Sequence, residues 1–354
     1  MLTKNINFKN FVIKIKKFQI SKKLRLLLNQ NNRILSTLRP EYKYSYNNRI
    51  ISKFKKSSSF TLIGMGGSIL GAQAIYDFLK YKIKKNFLFI NNIDSNLILS
   101  HKKNNVNLII SKSGNTLETI VNANIFIKKK DRNIFITEHT NNYLLNLGKK
   151  IKAEIIEHRN YIGGRYSVLS EVGMLPAELM GLNEKKFKQF NNLIKNKKFL
   201  NSLVSNVESI LYFIKKDKFT SIILNYDERS DNLFKWYQQL VAESLGKKSK
   251  GILPIISSMP KDNHSLMQLY LDGPKKSFYT FFHIFNKQSI KIKSKELFSK
   301  SKYLISKDLN KIIYSQKIAT ENVFKRKKIP FRSFEIFNRD EKTLGELFTF
   351  FILE

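Results

Sequence analysis

Residues 60–90, "FTLIGMGGSILGAQAIYDFLKYKIKKNFLFI", decide the architecture. A short apolar run ends in a glycine-rich turn, a segment with helical spacing follows, and a second apolar run closes the unit. The periodicity changes from that of a buried strand to 3.6 and back, which predicts a βαβ unit and a parallel sheet. The pattern repeats downstream. "VNLII" leads into "SKSGNT" and the helical "LETIVNANIFIKK", and "NIFIT" follows. A charged helical stretch over 181–216 carries the chain away. A second set then begins with "FTSIILNY", continues through the helix "DNLFKWYQQLVAESL" and reaches "KGILPIIS". The expectation is an α/β chain with two α/β domains in series. Upstream of the first set, residues 1 to about 55 read as basic amphipathic helices with loops, "KKLRLLLNQNNRILSTL" having leucines and isoleucine at helical spacing as a helix that Pro40 ends.

Composition sets bounds on function. The 354 residues suffice for one large or two medium cores. The absence of cysteine excludes disulfides and thiolate metal sites and fits a reducing, cytoplasmic setting. No apolar run approaches the roughly 18 residues that span a bilayer, and the basic start is broken by lysine and asparagine too often to form a signal-peptide core. The formal charge of +37 invites a nucleic-acid reading. The lysines, however, spread over nearly the whole chain and accompany abundant Asn, Ile and Phe, as an AT-rich coding sequence would produce. No nucleic-acid-binding motif joins them. Neither specific nucleic-acid binding nor a membrane partner is expected.

Three loops carry chemistry. In an open parallel sheet, ligands lie beyond the carboxyl ends of the strands. "SKSGNT" stands there, offering the hydroxyls of Ser111, Ser113 and Thr116, the charge of Lys112 and a close backbone approach at Gly114: a cradle for a phosphate monoester. A plain N-cap at Thr116 is the alternative. In "GMGGSILG", Gly64 and Gly66 fit a dinucleotide fingerprint, but Ile69 stands where its third glycine belongs and Asp94 falls too late, so no nucleotide cofactor is expected. A Gly67-Ser68 turn that approaches a small polar ligand remains. In "YIGGRYSVLSEVG", Arg165 beside the Gly163-Gly164 pair suits a cation held near a developing oxyanion.

Two further positions complete the set. In "DNLFKWYQQLVAESLG", Asp231 is the expected N-cap and Gly246 the stop, while Leu233, Trp236, Tyr237, Leu240 and Val241 form the buried stripe. Gln239 and Glu243, at i and i+4, project from one edge of it. A carboxylate on such a border suits a general base, and a surface ion pair is the alternative. His264 is the one histidine in a polar loop that runs into a helical segment. No His/Asp/Glu spacing suggests a metal site.

Taken together and in this order, "GMGGSILG", "SKSGNTLET", "GGRYSVLSEVG", "QQLVAES" and "NHSLMQLYLDGP" resemble the glucose-6-phosphate isomerase (phosphoglucose isomerase) family. The resemblance runs from about Thr61 onward. It implies two sugar-isomerase (SIS-type) three-layer α/β/α domains, over 56–185 and 186–354, behind an N-terminal helical arm over 1–55. It also implies interconversion of glucose 6-phosphate and fructose 6-phosphate in glycolysis and gluconeogenesis, in a cytoplasmic homodimer without a cofactor. Residue by residue, Ser111, Ser113 and Thr116 would bind the phosphate with the Lys112 backbone, and Gly67 and Ser68 would line the pocket. Glu243 would move the proton between C1 and C2. Arg165 and the Gly164 backbone would stabilise the cis-enediolate, Gln239 would contact the sugar, and His264 would assist ring opening from the neighbouring subunit. The family also ends in a motif of the kind "NPxDQPxVExxK". This chain stops at "TLGELFTFFILE", so a C-terminally truncated copy with little activity of its own is expected, its last helix left with an uncovered apolar face.

Overall fold

The computed structural model describes residues 1–13, 19–30, 32–95, 104–128, 130–286, 289–293 and 299–354. The strands, in chain order, are β1 (Ile6–Lys9), β2 (Ser59–Gly64), β3 (Asn86–Ile90), β4 (Asn105–Ile110), β5 (Arg132–Thr137), β6 (Glu154–Glu157), β7 (Thr220–Asn225), β8 (Leu253–Ser258), β9 (Ser277–Ile284) and β10 (Phe331–Ile336). They form two five-stranded sheets. One runs β3-β2-β4-β5-β6 and is parallel throughout; the other runs β1-β10-β9-β7-β8 and is parallel except for β1.

The first sheet follows from burial on both faces. Every residue of β2 is buried, as is all of β4 beyond Asn105, and such strands read as near-continuous apolar runs. Register places Gly64 of β2 beside Ile110 of β4, so the loops after these two strands begin side by side. The apolar runs expected at β2, β3, β4, β5, β7 and β8 are strands. β6, β9 and β10 add to them.

The N-terminal region holds a strand where only helices and loops are expected. Residues Ile6–Lys9 are a strand that pairs antiparallel with β10, Ile6 opposite Ile336. The helix expected to run as far as Pro40 is also divided, into Ile20–Asn29 and Arg33–Ser36. The asparagine-rich break supplies the reason. The Asn32 side chain accepts from the backbone N–H groups of Ile34 and Leu35, which starts a new helix instead of extending the old one.

Helix Asp231–Leu245 packs on helix Leu70–Phe78 and so joins the two sheets. Leu233, Trp236, Tyr237, Leu240 and Val241 are buried as their spacing implies. The cap is Ser230, not Asp231, whose carboxylate instead accepts from Asn225 at 2.6 Å. Helix Glu341–Leu353, expected to leave its apolar face uncovered, is buried within the chain. Leu344, Leu347, Phe348 and Phe350 are fully enclosed, Trp236 meets Phe348 edge-on at 4.8 Å, and Gly345 lies against the Phe187 carbonyl, where a Cβ would come within 2.1 Å. Beside this helix the buried Arg332 guanidinium pairs with the Glu354 carboxylate and donates to Asn206 Oδ1 at 2.9 Å. No described helix is long and apolar enough to cross a membrane.

Candidate active site

The turn after β2, Gly66–Ser68, leads into helix Leu70–Phe78. Gly66 adopts φ 52°, a left-handed conformation that favours glycine. Gly67 touches a second loop so closely that a Cβ there would lie 2.2 Å from the Gly164 carbonyl. The Ser167 hydroxyl ties the two loops of this contact, donating to Gly164 O at 2.7 Å and lying within reach of Gly67 O at 3.2 Å.

Beside that turn the 111–116 loop continues β4. Ser111 is buried, and its hydroxyl lies 3.0 Å from that of Thr116. Thr116 occupies the N-cap position of helix Leu117–Phe126, yet its side chain makes no capping bond. The hydroxyls therefore face each other across the loop rather than serving the helix start. Gly114 takes φ 65° against the Asn142 amide, leaving no room for a side chain. Ser113 Oγ accepts from the Asn115 N–H at 3.3 Å. The Lys112 ammonium is engaged elsewhere, donating to Asn160 O at 2.6 Å and facing Glu138 at 3.6 Å, so what the loop offers from Lys112 is its backbone.

Facing these loops from the second sheet's side, helix Asp231–Leu245 presents Gln239 and Glu243 one turn apart. Gln239 Nε2 donates to Glu243 Oε1 at 2.9 Å, and a Cβ on Gly66 would come within 2.8 Å of the same amide. Arg165 NH1 donates to the other carboxylate oxygen of Glu243 at 3.2 Å, while its Nε donates to Ser244 Oγ at 2.9 Å. The guanidinium lies over the Tyr166 ring at 4.7 Å, and the Tyr166 hydroxyl meets Ser244 at 2.8 Å. Burial opposes the charge of Arg165, but Tyr166 and Glu243 outweigh it and hold the guanidinium pKa above its ordinary value. Gly66, Gln239, Glu243, Arg165, Gly164 and Gly67 thus form a closed circuit of contacts. It carries one carboxylate, half exposed, against one fixed cation.

His264 lies apart. It follows the short turn Lys261–Asn263 after β8, is exposed, and makes no hydrogen bond with Glu243, Arg165 or Gln239. Among the described residues no group of His, Asp and Glu side chains could hold a metal ion. Sequence reasoning missed three supporting residues. Ser244 and Tyr166 adjoin Glu243 and Arg165 in the chain, a proximity that could have flagged them. Lys188 could not have been found among so many lysines. It is buried and donates to the carbonyls of Thr37 and Leu169, and so fixes the far end of the 3₁₀ helix Gly164–Leu169 that carries Arg165.

Comparison with known proteins bears on this geometry. The sequence pattern described as phosphoglucose isomerase matches residues 49–285. A glucose-6-phosphate isomerase of Methanocaldococcus jannaschii is 37% identical over 260 residues, which span 65% of this chain and 62% of that protein's length. One of Mycoplasmopsis pulmonis is 34% identical over 330 residues, spanning 84% of this chain and 77% of that one. Among solved structures, a Thermus thermophilus protein described as hypothetical superposes with a TM-score of 0.80 at 20% identity, over 94% of this chain and 86% of that one. A glucose-6-phosphate isomerase of Chlamydia trachomatis superposes with a TM-score of 0.66 at 17% identity, over 86% and 66%. At such identities the two superpositions speak to the fold alone.

Proposed function

The chain belongs to the phosphoglucose isomerase family, and from that premise we propose that it interconverts glucose 6-phosphate and fructose 6-phosphate through a cis-enediolate. The observation that carries the reading is the Arg165–Glu243 contact at 3.2 Å above the Gly67–Gly164 packing, because it sets one base and one oxyanion partner side by side. From aldose to ketose, the Glu243 carboxylate takes the C2 proton of the open-chain sugar. The C–H electron pair becomes the C1–C2 double bond, and negative charge collects on O1. Arg165 and the Gly164 N–H stabilise that oxygen. A proton passes from O2 to O1, and Glu243 returns its proton to C1. C1 is reduced as C2 is oxidised within the same molecule, so the balance requires no external oxidant.

Phosphate recognition falls to Ser111, Ser113, Thr116 and the Lys112 N–H, with Gly67 and Ser68 lining the pocket and Gln239 contacting the sugar. The mutual contact of the Ser111 and Thr116 hydroxyls supports this assignment, since Thr116 leaves the helix start uncapped. His264 assists ring opening from the neighbouring subunit of a cytoplasmic homodimer. Its exposure, and its lack of a hydrogen bond to the Glu243 circuit within one chain, support a contribution in trans.

The test is Glu243→Gln in the intact protein. Removing a general base should lower kcat by about 10²–10⁴-fold while leaving the affinity for a phosphorylated inhibitor nearly unchanged. Retention of near wild-type exchange of the C2 proton with solvent deuterium would remove Glu243 from the role.

A further inference from the structure

The two sheets share one topology. In the first, the strand order β3-β2-β4-β5 sends the chain from β2 to one neighbour and then back across to the other. The second repeats it as β8-β7-β9-β10. β7 is thus the counterpart of β2, β9 of β4, and helix Asp231–Leu245 of helix Leu70–Phe78. In an open sheet of this kind the ligand crevice lies where the order reverses, outside the carboxyl ends of the strands. The first sheet has the Gly66–Ser68 turn and the 111–116 loop at that point. At the same point in the second sheet lies a cavity of about 910 Å³, near the upper end of the usual size range of small-molecule sites. None of the residues assigned above to catalysis or substrate binding lines it.

Its lining favours a phosphorylated, sugar-sized ligand. Arg229, Asn286, Asn310 and Arg339 converge on it with the parallel rings of Phe285 and Phe337, 5.5 Å apart at 13°. Those rings offer a flat apolar face beside Arg229, while Arg339 is held by Asp227, Asn286 and the Phe78 carbonyl and the Asn310 amide donates to Asn286 O at 2.9 Å. The Arg229 guanidinium is exposed and has no ion pair or hydrogen bond among the described residues. The acidic side chains around it are mostly committed: Asp227 pairs with Arg339 and accepts from Ser230, and Asp340 caps the Thr343 N–H at 2.8 Å. Lys82 is paired with Glu341 at 2.6 Å, which leaves Glu228 as the one carboxylate of the lining opposing Arg229. The overall charge of +37 adds to the attraction for a dianion.

We propose that this cleft is a second binding site for a phosphate-bearing small molecule, separate from the site that holds Glu243. The topological argument rests on the reading of the 111–116 loop as a phosphate cradle, and the experiment separates the two. Equilibrium dialysis with radiolabelled glucose 6-phosphate should find two equivalents per chain. The double variant Ser113→Ala/Thr116→Ala should lose one of them, and Arg229→Ala/Asn310→Ala should weaken the other by tenfold or more (about 1.4 kcal/mol), as expected for loss of a charge-assisted contact and an amide. Arg229 is chosen over Arg339 because it is exposed and its removal leaves no buried carboxylate unpaired. Inorganic phosphate, used as competitor, identifies the occupant. Displacement at equal affinity assigns free phosphate to the cleft, and weaker displacement shows that the sugar is read as well. A single equivalent that the Ser113/Thr116 variant abolishes overturns the second site and leaves the first intact. A single equivalent abolished only by the Arg229/Asn310 variant upholds the cleft and overturns the cradle. Binding that is equal in all variants and falls with added salt reports only the net charge, and also overturns the proposal.

Discussion

Gly67 is the residue on which the site depends most directly, because its lack of a side chain lets the β2 turn rest against Gly164. Replacing it by alanine would force apart the two loops that the Ser167 hydroxyl ties together. Overpacking of this kind costs about 1–3 kcal/mol. Gly67→Ala should therefore lower the urea midpoint and reduce kcat more than it raises KM, because Arg165 is displaced while the phosphate loop is untouched. Steady-state kinetics beside urea titration check this, and an unchanged kcat would mean that Arg165 is not positioned through this contact. Glu243, Gln239 and Arg165 could be singled out as candidates in the sequence because each sits in a short motif with a mechanical reason for its spacing, and the fold brings the three into contact. Ser244 and Lys188 were not, since their importance comes only from which atoms the fold brings within reach.

Among the elements, the 3₁₀ helix Gly164–Leu169 is held from behind by the Lys188 ammonium, which lies between the Tyr42 and Tyr44 rings at 5.1 and 5.0 Å. Burial lowers the Lys188 pKa to about 7, against the opposing pull of Glu171 and Glu184. The sign of the pH effect follows. Between that value and the ordinary lysine range, the unfolded chain binds a proton that the folded chain does not. Stability should therefore fall as pH drops from about 10.5 towards 7 and level off below. Lys188→Met should flatten this dependence, read as urea midpoints at intervals from pH 7 to 10, and an unchanged slope would assign it to other groups. The strands show where sequence signals run out. β2, β4, β5 and β7 are apolar enough to read directly. β10 is not, because its inward residues include Arg332 and Glu335, charges made tolerable by Glu354 on one side and Lys317 on the other. Nor is β1, four residues in a lysine- and asparagine-rich segment whose pairing is decided more than three hundred residues away.

For the molecule as a whole, the exposure of His264 and its lack of a hydrogen bond to Glu243 within one chain lead to a test of assembly. If each site takes its base from one subunit and its histidine from the other, Glu243→Gln and His264→Ala proteins, each inactive alone, should regain activity when unfolded together and refolded. Half of the dimers would be mixed, and each of these would hold one complete site, giving about a quarter of wild-type turnover. No recovery would place both residues in the same chain, and activity of the His264→Ala protein alone would remove His264 from the reaction. The two-sheet architecture was legible from alternating strands and helices, but the way the chain closes on itself was not. The antiparallel pairing of β1 with β10 has a consequence for biosynthesis. Residues 59–157 hold all five strands of the first sheet and can collapse as soon as they leave the ribosome. The opening residues must instead wait, unpaired, until 331–336 have been translated, at roughly 5–20 residues per second. The second sheet thus incorporates a segment made well before its partner, and a nascent chain of this protein carries an unsatisfied strand while the more than three hundred residues between β1 and β10 are made.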